Sequence, residues 1–327
     1  MECRVFDQTL TAIGSISNFV SMVWEEGYDT TGVFQFVVNK TPHSIDLLKE
    51  GRFLSIPDSD TLAFIRTVDD KDDQLWVYGI ESKGILGYRV AAERAVCNNQ
   101  YVEARLLHYI GEWCGDYDFL TVPAAEGLTA TLDSEYSYAS VLELCSDWCT
   151  KVGYGFRLVF DKATHKLVVK IYDGDVNSDV KFSRFFGNMS EAKMLVTGDD
   201  FYNCAYVAGA GTGTDRVVVF VDESGGFSGL YKRVMYVDAR DIQLQSGETQ
   251  EEYEARLAAR GSEKLAKKQL VRSVSFKTPA KDYGRLYTLG DIIPVSIPEY
   301  GYNENVRIKK VRFTYESNTR TVDLTIG

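Results

Sequence analysis

Two stretches near opposite ends of the chain read alike, and that echo constrains the architecture more than any other feature. The first is Gly51-Arg52-Phe53-Leu54-Ser55-Ile56-Pro57, and the second is Gly290-Asp291-Ile292-Ile293-Pro294-Val295-Ser296-Ile297-Pro298. Each holds a glycine, an apolar strand-like run and Ser-Ile-Pro. Two further strand-like segments follow each copy, 64–68 and 75–80 after the first, 306–315 and 321–326 after the second. A polar turn separates these segments both times, at 69–73 and at 316–320. The repetition predicts two small, related β-barrels, because closing a short sheet on itself removes its exposed edges.

Between the echoes the hydrophobic period changes. Val102, Leu106 and Tyr109 fall on one face of a predicted helix over 101–111. Tyr138, Val141, Leu142, Cys145, Trp148, Cys149 and Val152 follow a 3.6-residue period, predicting a second helix over 137–152. Gly153 stands where a C-terminal cap belongs. Apolar alternation at 155–160 and 167–172, around a polar turn, predicts a β-hairpin. Strands return after about residue 185, at 204–208, 216–221 and 233–237. One helix interrupts them: Thr249 and Glu252 form a capping box, and Tyr253, Leu257, Gly261 and Leu265 make one stripe. Gly261 in that stripe permits close approach of a neighbour. The expected fold is therefore mainly β with an α+β insert. Residues 1–90 form a first barrel domain, 91–185 a middle module of two helices and a hairpin, and 186–327 a second barrel domain with an inserted helix at 249–270.

Composition supports strands and narrows function. The 327 residues include 20 Tyr and 17 Phe, residue types that suit a pleated, half-buried surface. A net charge of −11 without a compensating Lys/Arg cluster argues against sequence-specific nucleic-acid binding. The N-terminal residues lack the pattern of a secretory signal. Apolar runs such as 217–221 are strand-length, so no membrane insertion is expected. The six cysteines contain no C-x-x-C pair. Cys145 and Cys149, one helical turn apart, read as small buried hydrophobes, since a zinc site would need a second pair of ligands.

No catalytic frame emerges. Gly209-Ala210-Gly211-Thr212-Gly213-Thr214-Asp215 is glycine-rich, but a strand follows it where a phosphate loop needs a helix N-terminus. It reads as a hairpin loop. Asp173, Asp175, Asn177 and Asp179 place oxygen atoms at alternate positions, as a calcium loop begins. Ser178 stands where that loop needs glycine, and Arg184 where it needs a bidentate Glu, so the preferred reading is a turn leaving the hairpin. His43, His108 and His165 have no Ser or Cys neighbour in a recognisable frame, and 226–230 lacks the last glycine of a nucleophile elbow. The four carboxylates in 69–73 read as a solvated turn. No cofactor is expected, and no enzyme activity.

The order of motifs resembles the tail hub proteins of siphovirus-type phages and related phage-tail-like injection particles. The blocks that carry this are Trp24 and Tyr28 before Gly32-Val33-Phe34, then 47–57, then Gly229-Leu230-Tyr231-Lys232-Arg233-Val234-Met235-Tyr236-Val237-Asp238-Ala239-Arg240-Asp241. The 253–270 helix, Tyr283-Gly284 and Leu289-Gly290-Asp291-Ile292 complete the set. The resemblance implies a virion structural protein, made in a bacterial host cytoplasm and placed at the tail tip or baseplate. It implies a homotrimer forming a pseudo-hexameric ring, with tail tube protein on one side and spike, tip or distal tail proteins on the other. It also implies that no enzymatic extension follows residue 327. The alternatives are a carbohydrate-binding or adhesion module, which would show an exposed Trp/Tyr groove, and a cell-wall hydrolase. The four Trp, at 24, 76, 113 and 148, sit on periodic segments and read as core.

Overall fold

The computed structural model describes residues 2–327 except Pro57, Asp58, Ser317 and Asn318. The Pro57 stop and the centre of the 316–320 turn therefore lie outside the described residues. Strands make up 44% of the chain and helices 21%. The chain forms two compact units, Met1–Lys193 with Ser275–Gly327, and Met194–Val274.

The main sheet of the first unit joins the two ends of the chain. In spatial order its strands include Thr319–Ile326, Tyr302–Glu316, Ser21–Gly27, Val33–Asn39, Gln74–Glu81, Leu62–Lys71, Phe53–Ser55, Cys3–Phe6 and Ala12–Ile16. The junction is the antiparallel pairing of Ser21–Gly27 with Tyr302–Glu316, running from Ser21 opposite Glu316 to Gly27 opposite Lys310. This corrects the expectation of two barrels: among the described residues no sheet closes on itself. The reason lies in one long strand. The 15-residue Tyr302–Glu316 pairs with Ile292–Ile297 along its first part. Along the rest it pairs with Thr319–Ile326 and Ser21–Gly27. The edge on which a local barrel would close is taken by a strand from the other end of the chain. The 69–73 turn is also shorter than expected, since Leu62–Lys71 carries the first carboxylates into the ladder and Asp72, at φ 50°, makes the reversal.

Helices α1 (Pro42–Leu47), α2 (Val102–Cys114) and α3 (Val141–Val152) belong to this unit. Ser140 caps α3 in a capping box with Glu143, and Gly153 ends it in the left-handed region at φ 79°. The helix starts later than its apolar period suggests, because Thr131–Ser137 pairs as a strand with Arg94–Tyr101. Leu106, Ile110, Leu144 and Trp148 pack with Phe53 and Phe156 in one core. The hairpin Gly155–Asp161/Lys166–Tyr172 lies beside them in perfect one-to-one register.

The second unit is a three-stranded sheet with one helix. Cys204–Ala208 is central, antiparallel to Val218–Asp222 and parallel to Val234–Asp238. Helix α4 (Gln250–Ala266) opens with the Thr249/Glu252 capping box. It buries Tyr253, Leu257 and Leu265 against Ala205, Val207 and Val237. A Cβ on Gly261 would lie 2.7 Å from Val207 Cγ2 and 2.8 Å from Val221 Cγ2, so glycine sets the helix–sheet distance. The glycine-rich 209–217 segment links the two antiparallel strands. Among the described residues no helix is long and apolar enough to cross a membrane.

Candidate functional site

The densest polar constellation of the first unit gathers where its N-terminal strands, its middle module and its C-terminal strands meet. Tyr28, fully buried, follows Ser21–Gly27 and enters this junction. Its hydroxyl lies 3.0 Å from Gly153 O and 3.2 Å from Tyr172 O, and accepts from Gly174 N and Arg307 Nη1 at 3.2 and 3.0 Å. The ring is held between two glycines: a Cβ on Gly155 or Gly290 would come within 2.3 or 2.4 Å of it. Burial raises the phenol well above its usual pKa, so it stays a neutral donor.

Charged pairs continue the junction along the Ser21–Gly27/Tyr302–Glu316 seam. Glu25 accepts from Arg312 at 2.8 Å and from Lys310 at 3.2 Å. Asp29 accepts from Lys309 at 2.5 Å and Thr150 at 3.1 Å. Deeper still, Lys83 is 0% and Glu81 1% exposed. The Lys83 ammonium donates to Gly27 O and, at 2.9 Å, to Phe156 O, and stands 3.4 Å from Glu81 Oε2. Glu81 Oε2 accepts from Gly32 N at 3.1 Å and Gly27 N at 3.4 Å, closing the turn between two strands. Burial pushes the Glu81 carboxyl up to about 7, against the lowering effect of Lys83. No sequence pattern announced a buried lysine here. It follows a strand, in the 3-10 segment Ser82–Tyr88, and only its neighbours explain it.

A cleft of about 450 Å³ opens beside the junction, lined by Glu26, Asp60, Arg157, Tyr172, Asp173 and Asp291 among others. Its charged groups hold one another. Arg157 reaches both Asp60 oxygens at 3.0 Å. Glu26 accepts from Trp24 Nε1 at 2.8 Å and Ser59 Oγ at 2.5 Å. Such a network fixes loops, and its carboxylates are already hydrogen-bonded.

The four candidate oxygen ligands lie at this edge but do not converge on one point. Asp173 pairs with Arg307 at 3.0 Å. Asp175 donates its N–H to Asp291 Oδ1 at 3.3 Å and accepts from Ile292 N at 2.9 Å. Asn177 donates through Nδ2 to Leu286 O at 2.6 Å and accepts from Asp179 N at 3.1 Å. The segment docks on the 286–292 loop through backbone groups, and Arg184 pairs with Glu299 at 2.6 Å. Among the described residues no cluster of three His, Cys, Asp or Glu is placed to hold a metal. His43 contacts Ser15 O at 3.0 Å and His108 sits 3.4 Å from Glu112. Trp24 and Trp148 are fully buried, and Trp76 and Trp113 partly so.

With this geometry in place, comparison with known proteins identifies the lineage. The signature of siphovirus ReqiPepy6 Gp37-like proteins matches residues 2–327. The chain belongs to that family. No curated protein matches it. Among solved structures, the prophage MuSo2 43 kDa tail protein from Shewanella oneidensis is similar, with TM-score 0.60 and 11% identity, over 100% of this chain and 98% of that one. A tail protein from Neisseria meningitidis MC58 gives TM-score 0.58 and 14% identity, over 99% and 95% of the two chains. Prophage tail protein gp18 from Listeria monocytogenes EGD-e gives 0.51 and 11%, over 99% and 94%. At these identities the likeness is one of fold, and it spans nearly the whole of each chain. The resemblance to siphovirus-type tail proteins read from the sequence holds. The 229–241 block that helps carry this resemblance forms the 3-10 turn Gly229–Tyr231 and the strand Val234–Asp238 of the second unit.

Proposed function

We propose that this protein is a structural component of the phage tail, acting as a hub. Three copies form a pseudo-hexameric ring that joins the tail tube to the tip or central spike. Each copy contributes two comparable positions, from its 1–90 and 186–327 segments, around the 91–185 module. The observation that carries this reading is the end-to-end fold likeness to phage tail proteins within a siphovirus family. The chemistry of the first unit is consistent with it. The polar groups of the Tyr28 junction bind other parts of the same chain, which suits a rigid connector better than a reacting centre. The partners in this reading are tube protein and spike, tip or distal tail proteins, and the site of action is the virion.

The test is solution mass by light scattering over a concentration series, followed by mixing with tail tube protein. A species near three times 36.8 kDa that adds to the end of tube assemblies is expected. A tight dimer, or a monomer that ignores tube protein at every concentration, would overturn the hub assignment.

A further inference from the structure

The second unit covers only one face of its sheet. Helix α4 packs on the side of Ala205 and Val207. The other side carries Tyr206, which stands opposite Phe220 on one neighbouring strand and opposite Tyr236 on the other. Three aromatic rings thus form a row across the sheet, Tyr206 and Phe220 with centroids 4.7 Å apart. They remain 50%, 40% and 59% exposed for Tyr206, Phe220 and Tyr236, and Val218 and Val234 flank them at 50% and 41%. The 223–233 loop, which leaves the end of this face, adds Phe227 at 63% and Tyr231 at 74%. A ring side chain offers about 150–250 Å² when fully accessible. The five rings therefore leave roughly 400–700 Å² in water. A standard interface takes about 800 Å² from each partner, and a typical monomer's largest apolar patch is about 300–600 Å².

The rim of the face indicates what covers it. Lys232 pairs with Asp222 at 2.6 Å and sits 5.1 Å from the Phe220 ring. Arg216 pairs with Asp238 at 2.8 Å and lies 5.9 Å from the Tyr236 ring, and Arg240 also binds Asp238 at 2.6 Å. Three cations against two carboxylates leave this rim nearly neutral on a chain of net charge −11. Two copies of so acidic a chain repel across most approaches, and a near-neutral aromatic patch is where they meet at least cost. A glycan is a poorer match. Its hydroxyls need unengaged polar groups beside the rings. Here Asp222 already accepts from Lys232, Ser224 and Cys204, and Asp238 from Arg216 and Arg240.

We propose that this face is a contact between copies of the chain, with the Phe220–Tyr206–Tyr236 rows of three copies packed around a shared axis. The proposal rests on the three-copy reading above and names the surface that drives it. An apolar aromatic centre within a charged rim is the usual anatomy of such a contact.

The experiment compares three full-length proteins by light scattering and sedimentation over the same concentration series: wild type, Tyr206→Asp and Phe185→Ser. Phe185 is an 84% exposed ring of the first unit and serves as control. Hydrogen exchange in α4 checks that the second unit stays folded. If Tyr206→Asp lowers that protection, the milder Tyr236→Ser takes its place. The expected result is a trimer for wild type and Phe185→Ser, and association weakened by at least 100-fold in concentration for Tyr206→Asp. A Tyr206→Asp trimer as tight as wild type would overturn the proposal while leaving three-copy assembly intact. A wild type that is monomeric throughout overturns the proposal that this face drives assembly, and overturns the three-copy reading too only where the monomer also ignores tube protein. A monomer whose exchange at Tyr206 and Phe220 slows only on adding cell-wall oligosaccharide assigns the face to a glycan and overturns the proposal as well.

Discussion

Replacing Lys83 by Met isolates the energetics of the buried junction. The substitution keeps an unbranched chain of similar length but removes the ammonium. Gly27 O and Phe156 O lose their donor, and Glu81 loses the cation 3.4 Å away. Breaking a buried pair by deleting one partner costs about 3–5 kcal/mol, because the other charge is left uncompensated. Glu81 escapes part of this by protonating, and its carboxyl, already pushed up to about 7 by burial, does so readily near neutrality. The two orphaned carbonyls still cost about 1–3 kcal/mol each. The expected loss is thus about 3–5 kcal/mol, larger at pH 8 than at pH 6. Urea unfolding followed by tryptophan fluorescence measures it cleanly, since all four Trp, at 24, 76, 113 and 148, belong to the first unit. With a slope of about 3 kcal/mol per M, the midpoint should fall by about 1–1.7 M. A midpoint within about 0.2 M of wild type, the equivalent of roughly 0.6 kcal/mol, would refute the reasoning.

Three further outcomes are expected. Because Glu81 is raised to about 7 in the folded protein, the folded state holds its proton where the unfolded chain has released it. Its contribution is therefore full below about pH 4.5 and declines as pH rises through 7, by about 3 kcal/mol at 1.36 kcal/mol per pH unit; Glu81→Gln should flatten this slope in urea titrations at several pH values. Gly32→Ala would set a Cβ 1.7 Å from Glu25 O, a backbone clash that nothing nearby relieves, and should lower the first unit's urea midpoint more than Gly111→Ala, where a Cβ meets nothing within 4 Å. All six cysteines are buried, and burial pushes the Cys3 and Cys114 thiols up to about 12, so a thiol reagent at pH 8 should label none of the six before unfolding and all six after.

Local periodicity made the helices legible. Cys145, Trp148 and Cys149 mark the buried side of α3, and Tyr253, Leu257, Gly261 and Leu265 that of α4. Caps at Thr249 and Gly153 fall where residue type requires them. The strand Thr131–Ser137 was hidden because Thr131, Asp133 and Glu135 break any apolar run, and its partner Arg94–Tyr101 supplies the pairing. Partner choice over long separations was not readable either. Nothing in Ser21–Gly27 names Tyr302–Glu316 as its neighbour, and two barrels satisfy the same alternation as one open sheet. The candidate ligands Asp173 to Asp179 had suitable spacing, but spacing does not disclose that Arg307, Asp291 and Leu286 engage them. The aromatic row of the second unit was visible only as isolated rings until register aligned Tyr206 with Phe220 and Tyr236.

The seam between Ser21–Gly27 and Tyr302–Glu316 also dictates an order of events in synthesis. A ribosome delivers the first of these strands long before the second. Until the 302–316 segment emerges, Ser21–Gly27 has one neighbour in Val33–Asn39 and an open edge on its other side. Pairing across so great a sequence separation is slow, since loop closure must precede any gain from contact. The nascent chain therefore carries an unpaired edge for most of its translation, when it is most prone to join another chain. Folding of the first unit should be limited by the arrival of this one late strand, and chaperone demand should fall sharply once it has docked.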